Sequence, residues 1–230
     1  FPTRRSSDLV EHDFMESSFT DTYRSLSSFL EATPDRRARL LGQRDPRIDS
    51  SLKLQGDYGT FNELVLKAKQ AQDYFLLIGP PGTGKTSCGL VNILRETLIS
   101  SEKGASDDPA SGNILLVSYT NRAVDEICSK LQKMEDPYLR IGSHLSCAEE
   151  YRSQLLVERC QQCRNGQEIR QMIESCRIVV GTTAAVTGGS CLFNLKQFEL
   201  CIVDEASQIL EPQLLAILSA KVDGRDAIRK

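Results

Sequence analysis

Histidine is scarce: with His12 and His144 the only two in 230 residues, no Ser-His-Asp or Cys-His pairing for nucleophilic catalysis can be argued from the sequence. No apolar run approaches the roughly 20 residues that cross a bilayer, and no basic-then-apolar leader marks a secretory signal, so the expectation is a cytoplasmic protein with no membrane partner. Positive charge is not in excess either. With 28 Lys and Arg against 31 Asp and Glu the net charge is -3, so any nucleic-acid contact must be local rather than spread over a broad basic face. Internal repeats and low-complexity tracts are missing too, and 26% charged with 40% hydrophobic residues is an ordinary globular balance. A chain of this length can build one sizeable α/β core and a smaller appendage.

Cysteine is not scarce, with eight residues, but without an export signal these read as reduced, small, mostly buried side chains rather than a disulfide framework. Cys160 and Cys163 form one close pair, flanked by Cys147 and Cys176 with 12, 2 and 12 residues between. A zinc or iron-sulfur centre usually presents two close pairs, so incidental thiols are the expectation and a four-thiolate metal site the alternative.

What the chain does carry is Gly79-Pro80-Pro81-Gly82-Thr83-Gly84-Lys85-Thr86, directly after the apolar run Tyr74-Phe75-Leu76-Leu77-Ile78. It fits Gly-x-x-x-x-Gly-Lys-Ser/Thr, a loop whose backbone N–H groups wrap phosphates while its lysine reaches the β/γ oxygens and its hydroxyl ligates magnesium. Glycines allow the required dihedrals and a close approach to phosphate. Leu90, Ile93, Leu94 and Leu98 recur at helical spacing behind it, so the helix that starts here aims its positive end at the same charge. The expectation is a strand over 74–78, a loop whose eight residues bind nucleotide, and a helix.

Upstream, Met15, Phe19, Tyr23, Leu26 and Leu30 predict an amphipathic helix over about 14–32, closed by Pro34. Residues 33–59 read as an irregular connector. Thr60 and Glu63 then predict a capping box for a helix bearing Phe61, Leu64, Val65 and Ala68 on one face. Residues Phe1 to Leu9 resemble the translation of a sequencing-adapter oligonucleotide and are set aside as a tail. The expected organisation is a tail at 1–9, a helical flank and connector at 10–59, and one domain at 60–230 that is incomplete at its C-terminus.

Downstream, a polar loop at 100–113 leads to a strand at Ile114-Leu115-Leu116-Val117, then to a helix marked by Ala123, Val124, Ile127, Cys128 and Leu131. Further strands are expected at 177–180 and 200–203, with a helical insertion at about 143–176 on the rim of the sheet. Such alternation predicts an α/β fold with a parallel sheet and ligand sites at the carboxyl ends of its strands. Asp204 emerges at the tip of one of those strands, where Mg²⁺ held by Thr86 would sit, and Glu205 beside it can position the water that attacks a γ-phosphate.

The run at 79–86, Ser118-Tyr119-Thr120-Asn121-Arg122-Ala123-Val124-Asp125, Gly181-Thr182-Thr183 and Asp204-Glu205-Ala206-Ser207-Gln208 resemble motifs I, Ia, Ic and II of superfamily 1 helicases. The nearest subgroup holds the nonsense-mediated-decay helicase and the Okazaki-fragment helicase-nuclease. The resemblance covers residues 60–220 and implies the first motor domain, a RecA-like P-loop fold using ATP and Mg²⁺, with Lys85, Asp204 and Glu205 catalytic. It also implies that Thr120, Asn121, Thr182 and Thr183 touch the sugar-phosphate backbone of single-stranded DNA or RNA. Hydroxyl and amide groups on strand-end loops suit such contacts, although Thr and Asn serve equally well as helix N-caps.

By the same resemblance a γ-phosphate-sensing motif and a second motor domain with an arginine finger lie beyond Lys230, so this chain alone is expected to be weak or inactive. Where the family has an adenine-reading glutamine this sequence has Asn62, with Gln70 and Gln72 closer to the loop. Two alternatives stand beside the helicase reading: a ring-forming or signalling ATPase that binds no nucleic acid, and a nucleotide-gated binding module.

Overall fold

The computed structural model describes residues 17–80, 82–104, 108–134, 136–188 and 192–230. The adapter-like tail at 1–9, His12, Met15 at the expected start of the first helix, Pro81 of the phosphate loop and residues 105–107 of the polar loop lie outside the described residues.

Helices α1 (Ser17–Glu31), α2 (Pro34–Leu40) and α3 (Asn62–Gln70) precede the phosphate loop. A π-helical turn at Lys85–Leu90 runs into α4 (Val91–Lys103), and then come α5 (Asn121–Met134), α6 (Leu156–Gln161), α7 (Gly166–Ser175), α8 (Thr183–Thr187), α9 (Leu192–Leu195) and α10 (Glu211–Leu218). Strands β1 (Ile114–Ser118), β2 (Tyr138–Ile141), β3 (Ile178–Thr182) and β4 (Leu200–Val203) form one parallel sheet in the order β2-β3-β1-β4. A hairpin of β5 (Lys221–Val222) and β6 (Arg225–Asp226) lies apart from it. The parallel α/β expectation and the helical insertion are met. Neither β2 nor the hairpin was legible in the sequence.

Every position of β1, β2 and β3 is buried, because helices cover both faces of the sheet. Successive side chains go to opposite faces. Ile114, Leu116, Ile178 and Val180 pack with Leu94, Val124, Ile127 and Leu131 of α4 and α5. Leu115, Val117 and Val179 pack with Val186, Phe198 and Ile217. Each such aliphatic side chain taken out of water contributes roughly 1.5–3 kcal/mol, enough for strands of four or five residues to hold.

The run Tyr74–Ile78 is not a strand of this sheet, and here the structure corrects the sequence expectation. Leu76 and Ile78 are 73% and 90% exposed. A sheet edge admits one partner, and both outer edges are engaged. On β2, Arg140 pairs with Leu155. On β4, Phe198 N–H donates to Ala227 O at 2.7 Å, Arg229 N–H to Phe198 O at 2.9 Å and Cys201 N–H to Lys230 O at 2.8 Å. Ala227 and Ile228 thereby enter the core, and the apolar run before the loop is left without a ladder.

The segment 33–59 is also more ordered than an irregular connector. Pro34 opens α2 rather than merely closing α1: Thr33 Oγ1 accepts from Arg36 N–H at 3.2 Å, and proline at the first helical position forgoes no bond. Arg36 is buried and donates through Nε and Nη2 to the Leu218 carbonyl at 3.0 and 2.8 Å. Helix α1 packs along α10, yet its expected apolar stripe, Tyr23, Leu26 and Leu30, faces solvent.

Two buried carboxylates fasten the flank. Asp73 pairs with Arg39 and accepts from Arg47 through its backbone and guanidinium, at 2.7 Å each. Burial alone would raise its pKa, but the Arg47 hydrogen bonds and the two positive charges prevail and bring it to about 2. Glu96 of α4 accepts from Lys69 Nζ at 2.6 Å, Tyr58 OH at 2.8 Å, and the N–H groups of Gln55 and Gly56 at 2.9 and 3.1 Å. The capping box does not form. A 3-10 turn at Gly59–Phe61 precedes α3, Asn62 Oδ1 accepts from Tyr58 N–H at 2.7 Å, and Glu63 pairs with Lys67 at 2.7 Å.

Candidate functional site

Gly82 and Gly84 both adopt φ of 80°, a left-handed geometry that disfavours any side chain, so the loop's glycines are needed where they stand. Gly84 O accepts from Cys88 N–H at 2.8 Å and from Gly89 N–H at 3.0 Å, the wider turn that starts the helix. Thr83 Oγ1 donates to Pro80 O at 2.8 Å. Lys85 Nζ donates to Pro80 O at 2.9 Å and to Gly79 O, which folds the ammonium back across its own loop.

The loop meets the strand ends at Thr86. Its Oγ1 lies 3.1 Å from Asp204 Oδ2 and 3.3 Å from Oδ1. Asp204 is set by the sheet, since its N–H donates to Val117 O at 2.9 Å and extends the β1–β4 pairing by one bond. Glu205 then turns the chain sharply with φ of 53°, a strained value for a residue with a side chain, and its carboxylate accepts from Gln208 Nε2 at 2.9 Å. A hydroxyl and a carboxylate in contact are the hard oxygen donors that Mg²⁺ takes, so the residues present fit that ion.

Ser118 and Thr182 are partners across β1 and β3, so the loops that follow them lie side by side. Thr120 Oγ1 accepts from Ala123 N–H at 3.2 Å and Thr182 Oγ1 from Ala185 N–H at 3.1 Å, so both hydroxyls cap helices. Thr183 is 1% exposed and lies beneath the surface. Of the four residues expected at a strand site, Asn121 is the one that presents an exposed side chain. Asp125, the last residue of the Thr-Asn-x-Ala-Val-Asp run, pairs with Arg140, which is itself 1% exposed in β2.

Sequence reasoning missed two residues here. Ser118 is buried and, among the described residues, its hydroxyl has no hydrogen-bond partner, and Arg140 bonds Ser146 O at 3.1 Å and so fixes the start of the insertion. The signal for Arg140 was a charge inside an apolar run, Tyr138-Leu139-Arg140-Ile141. Asn62, Gln70 and Gln72 all use their side chains internally, on Asp57 and Tyr58, on the Ser50 and Leu52 carbonyls, and on Gln70 O respectively. The four cysteines do not assemble. Among the described residues no three His, Cys, Asp or Glu side chains converge as a metal site, and Cys147, Cys163 and Cys176 each bond a local carbonyl.

A parallel sheet in which a glycine-bent loop opens a helix, and a strand-tip carboxylate reaches that helix's first threonine, defines a RecA-like P-loop NTPase domain. The chain belongs to the AAA domain family, which matches residues 61–169 and 149–223, and its relatives place it among superfamily 1 helicase motor domains. It is 30% identical over 219 residues to the DNA replication ATP-dependent helicase/nuclease JHS1 of Arabidopsis thaliana, covering 89% of this chain and 15% of that one. It is 36% identical over 152 residues to the DNA replication ATP-dependent helicase/nuclease DNA2 of Gallus gallus, covering 64% and 14%. With the Homo sapiens protein of that name the identity is 34% over 160 residues, covering 68% and 14%. The chain thus spans about 15% of the length of the curated relatives it matches. No helix among the described residues is long and apolar enough to cross a membrane.

Proposed function

We propose that residues 60–230 are the first motor domain of an ATP-dependent helicase that acts on a single nucleic-acid strand, with residues 10–59 as a helical flank and connector. The Thr86–Asp204 contact carries this reading, because it joins the hydroxyl next to the loop lysine with the carboxylate that a magnesium-nucleotide requires. ATP phosphates take the backbone N–H groups between Gly82 and Thr86 and the Lys85 ammonium. Thr86 and Asp204 hold Mg²⁺, which when bound neutralises charge on the β- and γ-phosphate oxygens. Glu205 orients the attacking water and accepts its proton as the new oxygen bond forms at the γ-phosphorus and the bond to ADP breaks.

At the strand ends Asn121 and nearby backbone N–H groups meet the sugar-phosphate chain, while Thr120 and Thr182 hold those turns as caps and Thr183 supports them from below. The relatives' names favour DNA as the strand. Their greater length supports a second motor domain that supplies an arginine to the reacting phosphoryl group, a contribution worth roughly 10³–10⁵ in rate in other phosphate-loop enzymes. Alone, this chain binds nucleotide and turns it over slowly.

The test is equilibrium binding of a fluorescent ATP analogue with Mg²⁺, together with single-turnover hydrolysis, for the chain, Lys85→Ala and Glu205→Gln. The chain binds and hydrolyses slowly, Lys85→Ala loses binding, and Glu205→Gln binds without turnover. Undiminished binding by Lys85→Ala would overturn the reading.

A further inference from the structure

At the amino ends of the strands lies a cleft of about 510 Å³, roomy enough for a small molecule. Its walls are α7, the turn from α9 toward β4, and the β5–β6 hairpin. The parallel sheet sets that position. Asn113 and Gln197 of the lining stand just before β1 and β4, whereas Thr86 and Asp204 meet at the other end of the same strands. No residue given a role in nucleotide or strand binding lines it.

Two neighbouring side chains in its wall are buried and short of partners. Lys196 is 3% exposed and Gln197 8%. The Lys196 ammonium uses one of its three donors, on the Glu174 carbonyl at 2.7 Å. Among the described residues no carboxylate pairs with it, because that of Glu174 is taken by Arg170 at 2.8 Å. Burial outweighs the nearby Cys176 and Glu174 and pulls the lysine down to about 8. The backbone carbonyl of Gln197 accepts from Asn113 Nδ2 at 3.1 Å, but its side-chain amide has no hydrogen bond among the described residues. Such groups taken out of water are ordinarily paired, since leaving them unpaired is costly. The rest of the lining leans positive: Arg170, Lys196 and Arg225 stand against Glu174 and Asp223. Arg225, exposed on the hairpin, also has no side-chain partner among the described residues.

We propose that this cleft binds a small polar molecule through an oxyanion, a carboxylate or a phosphate ester, held between Lys196 and Arg225 while Gln197 hydrogen-bonds its body. The excess of cationic donors selects an anion over a metal ion or an amine. An arginine fork and a lysine point charge both suit carboxylate and phosphate oxygens. Depth selects a small molecule over a polymer, because a nucleic-acid backbone follows exposed charge and Lys196 and Gln197 sit beneath the surface. The bound molecule bridges α7 of the insertion and the hairpin, and so gives the insertion an attachment at the end of the sheet remote from the nucleotide.

The test is thermal unfolding of the Lys85→Ala chain, in which the phosphate loop no longer competes for the probe. Glycerol 3-phosphate, malate and neutral glycerol are compared at about 10 mM and one ionic strength, ten times the millimolar dissociation constant of a weak small-ligand site. At that excess a ligand raises the melting temperature by roughly 3–6 °C in a protein of this size. At least one of the two anions gives such a rise over glycerol; glycerol 3-phosphate alone identifies a phosphate ester, and malate alone a carboxylate. Lys196→Met abolishes the rise, and Arg225→Glu, at an exposed position that leaves folding intact, cuts it to less than about a third. No rise over glycerol with either anion overturns the site, and so does an undiminished rise in either variant that folds.

Discussion

Thr86 Oγ1 touches both carboxylate oxygens of Asp204, at 3.1 and 3.3 Å, although 118 residues separate them along the chain. The sheet makes that meeting possible, because Asp204 continues the β4 ladder onto Val117 while Thr86 begins the helix packed over β1. With the two groups holding one ion, Asp204→Asn weakens nucleotide binding about tenfold in the presence of Mg²⁺ and leaves it unchanged in EDTA. Titration of a fluorescent ATP analogue under both conditions checks this. A variant that still gains affinity on adding Mg²⁺ removes Asp204 from the metal site.

Glu205 carries its side chain at φ of 53°, where a non-glycine residue costs roughly 1–2 kcal/mol. Glu205→Gly relieves that strain and raises unfolding stability by about 0.5–1 kcal/mol, net of the greater chain entropy of glycine and the lost bond to Gln208. The same variant abolishes turnover. Urea denaturation and single-turnover hydrolysis read the two effects separately, and a loss of both stability and turnover would mean that the turn itself needs the carboxylate.

Asp73 titrates near 2 in the folded protein against an ordinary 3.8, so below the ordinary value the unfolded chain takes up a proton first. Its contribution is complete above about pH 5 and is lost as pH falls from about 4 through 2. Glu96 is shifted the same way, its burial outweighed by hydrogen bonds from Lys69 and the 55–58 segment. Between pH 5 and 2 the unaltered chain loses about 2 kcal/mol more stability than Asp73→Asn does, following the size of the shift. Parallel acid and urea titrations measure the difference, and identical acid profiles would exclude Asp73 as a fastening point.

Among the described residues no backbone N–H of 74–78 donates a hydrogen bond, and Ile78 is almost wholly exposed. These amides therefore exchange with solvent at nearly unprotected rates, whereas those of Leu115 to Val117 are protected to the global limit. Ile78→Ser costs less than about 0.5 kcal/mol, against roughly 2–5 kcal/mol for Leu116→Ala. Hydrogen exchange and denaturation decide it, and protection of 74–78 comparable to β1 would mean that the run pairs within a sheet in solution.

The sequence disclosed what local chemistry dictates. Leu200-Cys201-Ile202-Val203 ahead of Asp204 read as a strand with a carboxylate at its tip, which the structure shows with Leu200 buried and the next three residues half-buried, and the glycines of 79–86 required left-handed backbone that the structure shows at Gly82 and Gly84. It misled wherever one local signal served competing partners. Tyr74-Phe75-Leu76-Leu77-Ile78 has the composition of a strand, but composition does not say whether an edge is free, and Ala227 to Lys230 occupy that of β4. Thr60 and Glu63 have capping-box spacing, yet Asn62 and Lys67 offer the nearby groups other bonds. Asp73 and Glu96 were invisible as anchors because the flank groups that fasten them lie 26 to 41 residues away, beyond any local pattern, and Arg140 showed only as a charge in an apolar run, its partner Asp125 standing 15 residues upstream. The strand residues were half legible: their placement at the ends of β1 and β3 followed from the motifs, whereas the burial of Thr183 depends on packing that no motif encodes.

The Lys85 ammonium rests on the carbonyl oxygens of Gly79 and Pro80. A polyphosphate that enters the loop takes over a cation that two carbonyl dipoles already hold in part, so the transfer runs largely from one set of oxygens to another. Selectivity follows from that competition. An anion too small or too weakly charged to outbid two carbonyls leaves the lysine where it is, and the loop discriminates by charge density before any contact with a base or sugar is made.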